Sequence, residues 1–258
     1  MTLCRLRVRR LLRPRGVPVT WLLHLDAMTL LWINQFAQHN HAFDHIVVIL
    51  IGQEVLQGGY LFVFLWWLWF RNPDAPFDDR VDVIRIIATI CIADLLARIL
   101  QQNLPIRLRP INDPALPFVL PYTEWPSALE HWSSFPSDHA IIYYALATAI
   151  WARHRLMGAL AFIWITVFCS LARVYTGMHY PGDILGGAII GIAVMRLSDT
   201  CSVPAWLMPL IRRILAWEMR HPAPFYVIAV IGTIEFVTMC DDIRVVGRGL
   251  ATVIRGSG

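Results

Sequence analysis

The chain has 258 residues, 57% of them hydrophobic and only 16% charged, with a mean hydropathy of +0.55 and a formal charge of +4. A soluble domain carries about 25% charged residues, so the composition argues against an ordinary soluble fold and for a membrane protein. All 22 basic residues are arginine, and Arg5, Arg7, Arg9, Arg10, Arg13 and Arg15 crowd the N-terminus. Beside apolar spans such a run faces anionic lipid or sets topology. No nucleic-acid-binding pattern accompanies it, so membrane lipids are the expected partners and nucleic acid is not. Cys4, Cys91, Cys169, Cys201 and Cys240 form neither a close pair nor a ligand spacing, so neither a disulfide framework nor a zinc site is indicated.

In chain order, residues 1–45 hold the basic tail and a segment, 19–36, whose His24 and Asp26 leave it either a weak span or an interfacial helix. A bilayer crossing needs about 20 apolar residues. Stretches that meet or approach this lie at 46–70, 81–100, 137–151, 157–174 and 183–195, and a sixth at 224–239 carries Glu235. We therefore expect an all-α, polytopic transmembrane bundle of about six spans, with a catalytic core over 46–200 and a C-terminal segment, 201–258, containing the last span. The loop 71–80, the turn 152–155 and Arg196, Arg212, Arg213 and Arg220 are cytoplasmic by the positive-inside rule, which puts 101–135 and 176–182 outside. Glu124, Trp125 and Glu130 in that long loop read as solvated. Asp94 and Arg98, four apart on one helix, are expected to pair. Glu54, with Gln53 and Gln57, is an intramembrane acid and a candidate for substrate contact. Gly186, Gly187 and Gly191 suit close helix packing.

Three polar clusters fall at span ends on the external side. They are Arg107-Leu108-Arg109-Pro110, Phe135-Pro136-Ser137-Asp138-His139, and the run from Arg173 through His179 to Asp183. Pro136 and Pro181 stand where helices start, and helix N-termini attract anions. Arg109 and Arg173 offer guanidinium forks for phosphate oxygens, and Ser137 a hydroxyl donor. His179 and Asp183 are four apart, so a carboxylate could hold one imidazole nitrogen while the other attacks; His139 is then the acid for the leaving oxygen. This set needs no metal or other cofactor.

These clusters resemble the three signatures of the type 2 phosphatidic acid phosphatase superfamily: Lys-x6-Arg-Pro, Pro-Ser-Gly-His, and Ser-Arg-x5-His-x3-Asp. The chain keeps Arg109-Pro110, Pro136-Ser137, His139, Arg173, His179 and Asp183 in order. The family lysine falls on Gln102, the glycine on Asp138 and the serine on Ala172, so Gln102, Asp138 and the nearby Arg107 join the candidates for substrate contact. The resemblance implies the lipid phosphatase/vanadium haloperoxidase fold and a phosphohistidine mechanism with His179 as nucleophile. Pro-Ser-Asp-His is similar to the subgroup acting on undecaprenyl diphosphate, including bacitracin-resistance phosphatases. The expected protein is then a bacterial inner-membrane enzyme facing the periplasm. The alternatives are a phosphatase of phosphatidylglycerophosphate or of a lipid A phosphate, a lipid phosphotransferase, and a catalytically weak lipid-phosphate binder.

Overall fold

The computed structural model describes residues 20–74, 76–122 and 132–238, so the arginine tail, Glu124, Trp125, Glu130 and Cys240 lie outside it. Among the described residues the secondary structure is helical only. In chain order the helices are α1 (Thr20–Asn34), α2 (His41–Gly52), α3 (Leu61–Phe70), α4 (Pro76–Asn103), α5 (Asp138–Arg153), α6 (Arg155–Trp164), α7 (Leu171–Tyr175), α8 (Pro181–Thr200), α9 (Met208–Arg220) and α10 (Pro222–Val237). Two π-helical turns interrupt the run, Val55–Gly59 between α2 and α3 and Ile165–Ser170 between α6 and α7.

Helix α5 is the hub. Every residue from Ala140 to Ile150 is buried, the pattern of a helix enclosed on all sides. It starts at Ser137, whose hydroxyl accepts the Ala140 N–H, and carries Asp138 in its first turn and Arg153 in its last, both favourable to the helix dipole. Its main partner is α8, and glycine sets their separation. A Cβ on Gly187 would lie 2.6 Å from the Ser137 carbonyl oxygen, and one on Gly191 2.1 Å from that of Ile141. Helix α4 closes the other side, with Ile86, Ile90, Ala93 and Ala97 fully buried. Its Asp94 and Arg98 pair at 2.9 Å, as the spacing predicts.

The end of the bundle away from the clusters is laced by charge. Arg85 and Arg153 share Asp82 and Asp199 across α4, α5 and α8, and Arg80 pairs with Glu218 of α9 at 2.6 Å. The outer faces are apolar: Ile92, Leu95, Leu160, Ile163, Leu185 and Ile189 are all exposed. Exposed apolar surface on that scale calls for an apolar surrounding or a partner. Two helical runs, Arg155–Tyr175 and Pro181–Thr200, are long and apolar enough to cross a membrane.

Residues 46–70 do not form one continuous helix. Helix α2 ends at Gly52, Gln53 leaves helical geometry (φ −114°, ψ 88°), and the chain resumes through the first π turn. The polar run Gln53, Glu54 and Gln57 sits in this break, with Gln53 exposed, Glu54 half-buried and Gln57 wholly buried. Helix α1 packs against the bundle, its Leu30 fully buried in the main core.

Candidate active site

Backbone hydrogen bonds stitch the three clusters together. The Ile111 N–H donates to the Gly177 carbonyl (3.0 Å), Ser134 to Arg107 (2.8 Å), and Ser137 to Asp183 (3.2 Å). The reversal before His179 runs through Gly177 at φ +75°, where a Cβ would also press on the Phe118 ring at 2.6 Å. The Met178 and His179 N–H groups both fold back onto the Arg173 carbonyl, at 2.9 and 3.3 Å. Histidine and arginine are thereby fixed to one another by main chain.

His179 is 1% exposed. Its Nδ1 lies 2.9 Å from the Ser134 carbonyl oxygen, which can only accept. Nδ1 therefore carries the proton and Nε2 the lone pair. Nε2 lies 3.4 Å from Nη1 of Arg109, and that same Nη1 donates to the Met178 carbonyl at 3.0 Å. Burial pushes the imidazole below the ordinary histidine range; Asp183 pulls it back up and Arg109 adds to the downward push. The result is a neutral histidine whose free lone pair faces a guanidinium, the state a nucleophile needs.

The spacing argument assigned the orienting bond to Asp183, and here the geometry differs. Asp183 Oδ2 stands 3.8 Å from Nδ1, an ion-pair distance and not a hydrogen bond. Its carboxylate, wholly buried, instead accepts from the Ser134 hydroxyl, the Tyr180 N–H (2.8 Å) and Arg107 (2.7 Å). The Tyr180 bond also caps α8. Ser134 thus orients the ring, and Asp183 holds Ser134 while placing a negative charge beside the imidazole.

Arg107 is engaged by two carboxylates and an aromatic ring. It bridges Asp183 and Asp26 of α1 (2.6 Å) and lies 3.9 Å over the Tyr180 ring. Asp26 in turn accepts the Gly182 N–H at 2.6 Å. Gln102 lies at the surface at the end of α4, while its neighbour Gln101 is buried and donates to the Pro136 carbonyl at 2.9 Å.

Arg109 and Arg173 are 6% and 4% exposed, yet the Nε of each is buried without a protein partner. Arg173 is anchored through Nη2 on the side-chain oxygen of Gln57, supplied by the first π turn. Ser137 is fully buried at the α5 N-terminus, and because its oxygen accepts the Ala140 N–H (3.4 Å), its own proton is free to donate. His139 bonds through Nδ1 to Asp138 at 2.9 Å. Its Nε2 is buried with no hydrogen bond, and Glu54 Oε1 is 3.7 Å from it. So the structure brings together His179, Asp183, Arg109, Arg173, Ser137, His139, Asp138 and Glu54. Two guanidinium donors, a hydroxyl, a nucleophilic lone pair and a second histidine fit a tetrahedral oxyanion.

The sequence reading missed Ser134, Asp26 and Gln57 in these roles. Gln57 and Asp26 each carried a signal, as a polar side chain inside an apolar stretch. A main-chain carbonyl such as that of Ser134 leaves no trace in residue identity.

Residues 82–206 match the family model described as the PAP2 superfamily. The undecaprenyl-diphosphatase BcrC of Bacillus subtilis is 25% identical over 65% of this chain and 81% of its own length. The lipid A 4'-phosphatase of Bacteroides thetaiotaomicron is 36% identical over 42% of this chain and 48% of its own. The crystal structure of Aquifex aeolicus LpxE aligns with 69% of this chain and 96% of its own at 26% identity and a TM-score of 0.49. The chain spans about half the length of several curated relatives it matches. All three clusters, at 107–110, 135–139 and 173–183, lie inside the matched residues, so this part of the chain is similar to the PAP2 superfamily.

Proposed function

We propose that the protein is an integral-membrane hydrolase that removes the terminal phosphate of a polyprenyl diphosphate, undecaprenyl diphosphate in particular, through a phosphohistidine on His179. The observation that carries this is the Nε2 lone pair of a buried His179 facing Arg109 at 3.4 Å, beside two guanidinium Nε donors with no protein partner. In the proposed cycle Nε2 attacks the terminal phosphorus. Arg109, Arg173 and Ser137 hold the non-bridging oxygens, where transition-state charge collects. Asp183 compensates the positive charge that grows on the ring. His139 protonates the departing lipid phosphate and then takes a proton from the water that cleaves the P–N bond.

The diphosphate substrate is supported by the Pro-Ser-Asp-His cluster and by the Bacillus subtilis relative. The Bacteroides relative supports a second reading, hydrolysis of a lipid monophosphate. We place the protein in a bacterial inner membrane with about six crossings. The arginine-lined end, with Arg85, Arg153, Arg196, Arg212, Arg213 and Arg220, faces the cytoplasm and the site faces the periplasm. There it would regenerate a glycan carrier lipid.

The test is phosphate release by detergent-purified protein in EDTA, from undecaprenyl diphosphate and from a lipid A phosphate, beside His179→Ala. Release from the diphosphate that vanishes in the variant is expected. Release from lipid A phosphate alone would replace the substrate, and a fully active His179→Ala protein would remove the nucleophile.

A further inference from the structure

The break in the first apolar stretch places a third carboxylate at the site, beside those of Asp138 and Asp183. Glu54 stands between α2 and the first π turn, with Oε1 3.7 Å from His139 Nε2 and Oε2 buried without a hydrogen bond. π turns inside helices recur at functional sites because they re-aim side chains. This one also delivers Gln57 to Arg173 and packs Gly58 against Tyr143, whose ring a Cβ would approach to 2.3 Å. No residue of the three signature clusters makes this contact with His139 Nε2.

His139 has a particular need for such a group. The Asp138 carboxylate at 2.9 Å accepts from Nδ1 and so keeps the first proton there. To act as an acid the ring must carry a second proton, on Nε2, and become an imidazolium. The other groups facing it are Asp138 and Tyr143 on its own helix, the Tyr143 ring edge-on at 5.9 Å with a buried, unpartnered hydroxyl. Across the site, Arg173 and His179 act on Asp138, and the positive charge of Arg173 disfavours a further cation. A carboxylate opposite Nε2 offsets that disfavour.

We propose that Glu54 is a positioning residue for the general acid: it stabilises the imidazolium form of His139 and aims its Nε2–H at the leaving oxygen. The Nε2 proton passes to the lipid phosphate as the P–O bond breaks and the P–N bond to His179 forms. The proton that later returns to Nε2 comes from the attacking water, and Glu54 itself exchanges none. The proposal rests on the hydrolase reading above.

The experiment compares Glu54→Gln, Glu54→Asp and His139→Ala, singly and with Glu54→Gln in the His139→Ala background, on undecaprenyl diphosphate. General acid catalysis contributes about 10²–10⁴-fold, so Glu54→Gln should lower kcat about tenfold or more while KM stays within about twofold. Glu54→Asp should recover part of kcat, and in the His139→Ala background Glu54→Gln should cost nothing further. An equal loss in both backgrounds would make Glu54 merely structural and overturn the proposal. So would an undiminished kcat in Glu54→Gln, with the hydrolase reading intact. No release by the unmodified protein from any lipid phosphate would overturn the hydrolase reading and this proposal with it.

Discussion

Replacing Asp183 by asparagine tests how the site handles charge on its nucleophile. The substitution preserves shape, and the amide oxygen can still accept the Tyr180 N–H that caps α8. What is lost is a unit charge 3.8 Å from Nδ1 of His179. At an effective dielectric of about 20, that charge stabilises an imidazolium at this distance by about 4 kcal/mol. Arg107, 2.7 Å from the same carboxylate, neutralises part of it, which leaves roughly 2–4 kcal/mol. Attack converts the neutral ring into a positively charged phosphohistidine, so the loss falls on the transition state and kcat should drop about 30- to 1000-fold. The pH sign follows. Asp183 raises the His179 pKa against the downward push of burial, so its removal lowers that pKa further. The acidic limb of kcat/KM, below the ordinary histidine value of 6.5 in the unmodified protein, should therefore move to still lower pH. Steady-state phosphate release across pH, with thermal unfolding in detergent as a control for folding, measures both effects. A variant within about threefold of the original, with an unmoved acidic limb, would refute the electrostatic role of Asp183.

Gly191→Ala puts a methyl group where 2.1 Å separates it from the Ile141 carbonyl oxygen. Helices α5 and α8 must part, at about 1–3 kcal/mol of overpacking, and thermal unfolding in detergent should register the loss; an unchanged midpoint would show that the two helices can shift freely. Gln57→Leu removes the acceptor for Arg173, leaving a buried charge with no anchor at about 1–3 kcal/mol. Catalytic efficiency should fall about tenfold, and a variant with full kcat/KM would mean that Arg173 is held well enough by packing.

How much of this could be read without the fold depends on the range of each interaction. The third cluster is local. Gly177, the two N–H groups returning to Arg173, Pro181 at the start of α8 and Asp183 three positions beyond the cap lie within a few residues of one another, so spacing alone announces a turn feeding a helix. The same holds for Ser137 capping α5 and for Asp94 with Arg98 on one face of α4. Glycine at 187 and 191 signalled close packing because only glycine leaves room for it.

The amino-acid order thus determined the all-helical character, the starts of α5 and α8, and the identity of most of the side chains that meet the site. Tertiary packing decided which of them meet. Residues on a helix turn by about 100° from one to the next, so the exposure of Gln102 and the burial of Gln101 depend on which face α4 gives to α5. Arg107 could have faced a phosphate. It is taken instead by Asp183 and by Asp26, a partner some eighty residues away that only the docking of α1 brings near. The orienting acceptor for His179 is a main-chain carbonyl, chemically the same at every position and distinguished only by where the chain is folded. Glu54 reaches His139 because a π turn breaks an otherwise continuous apolar stretch. Hydropathy registers the apolar character of such a stretch but not the rotation of its backbone.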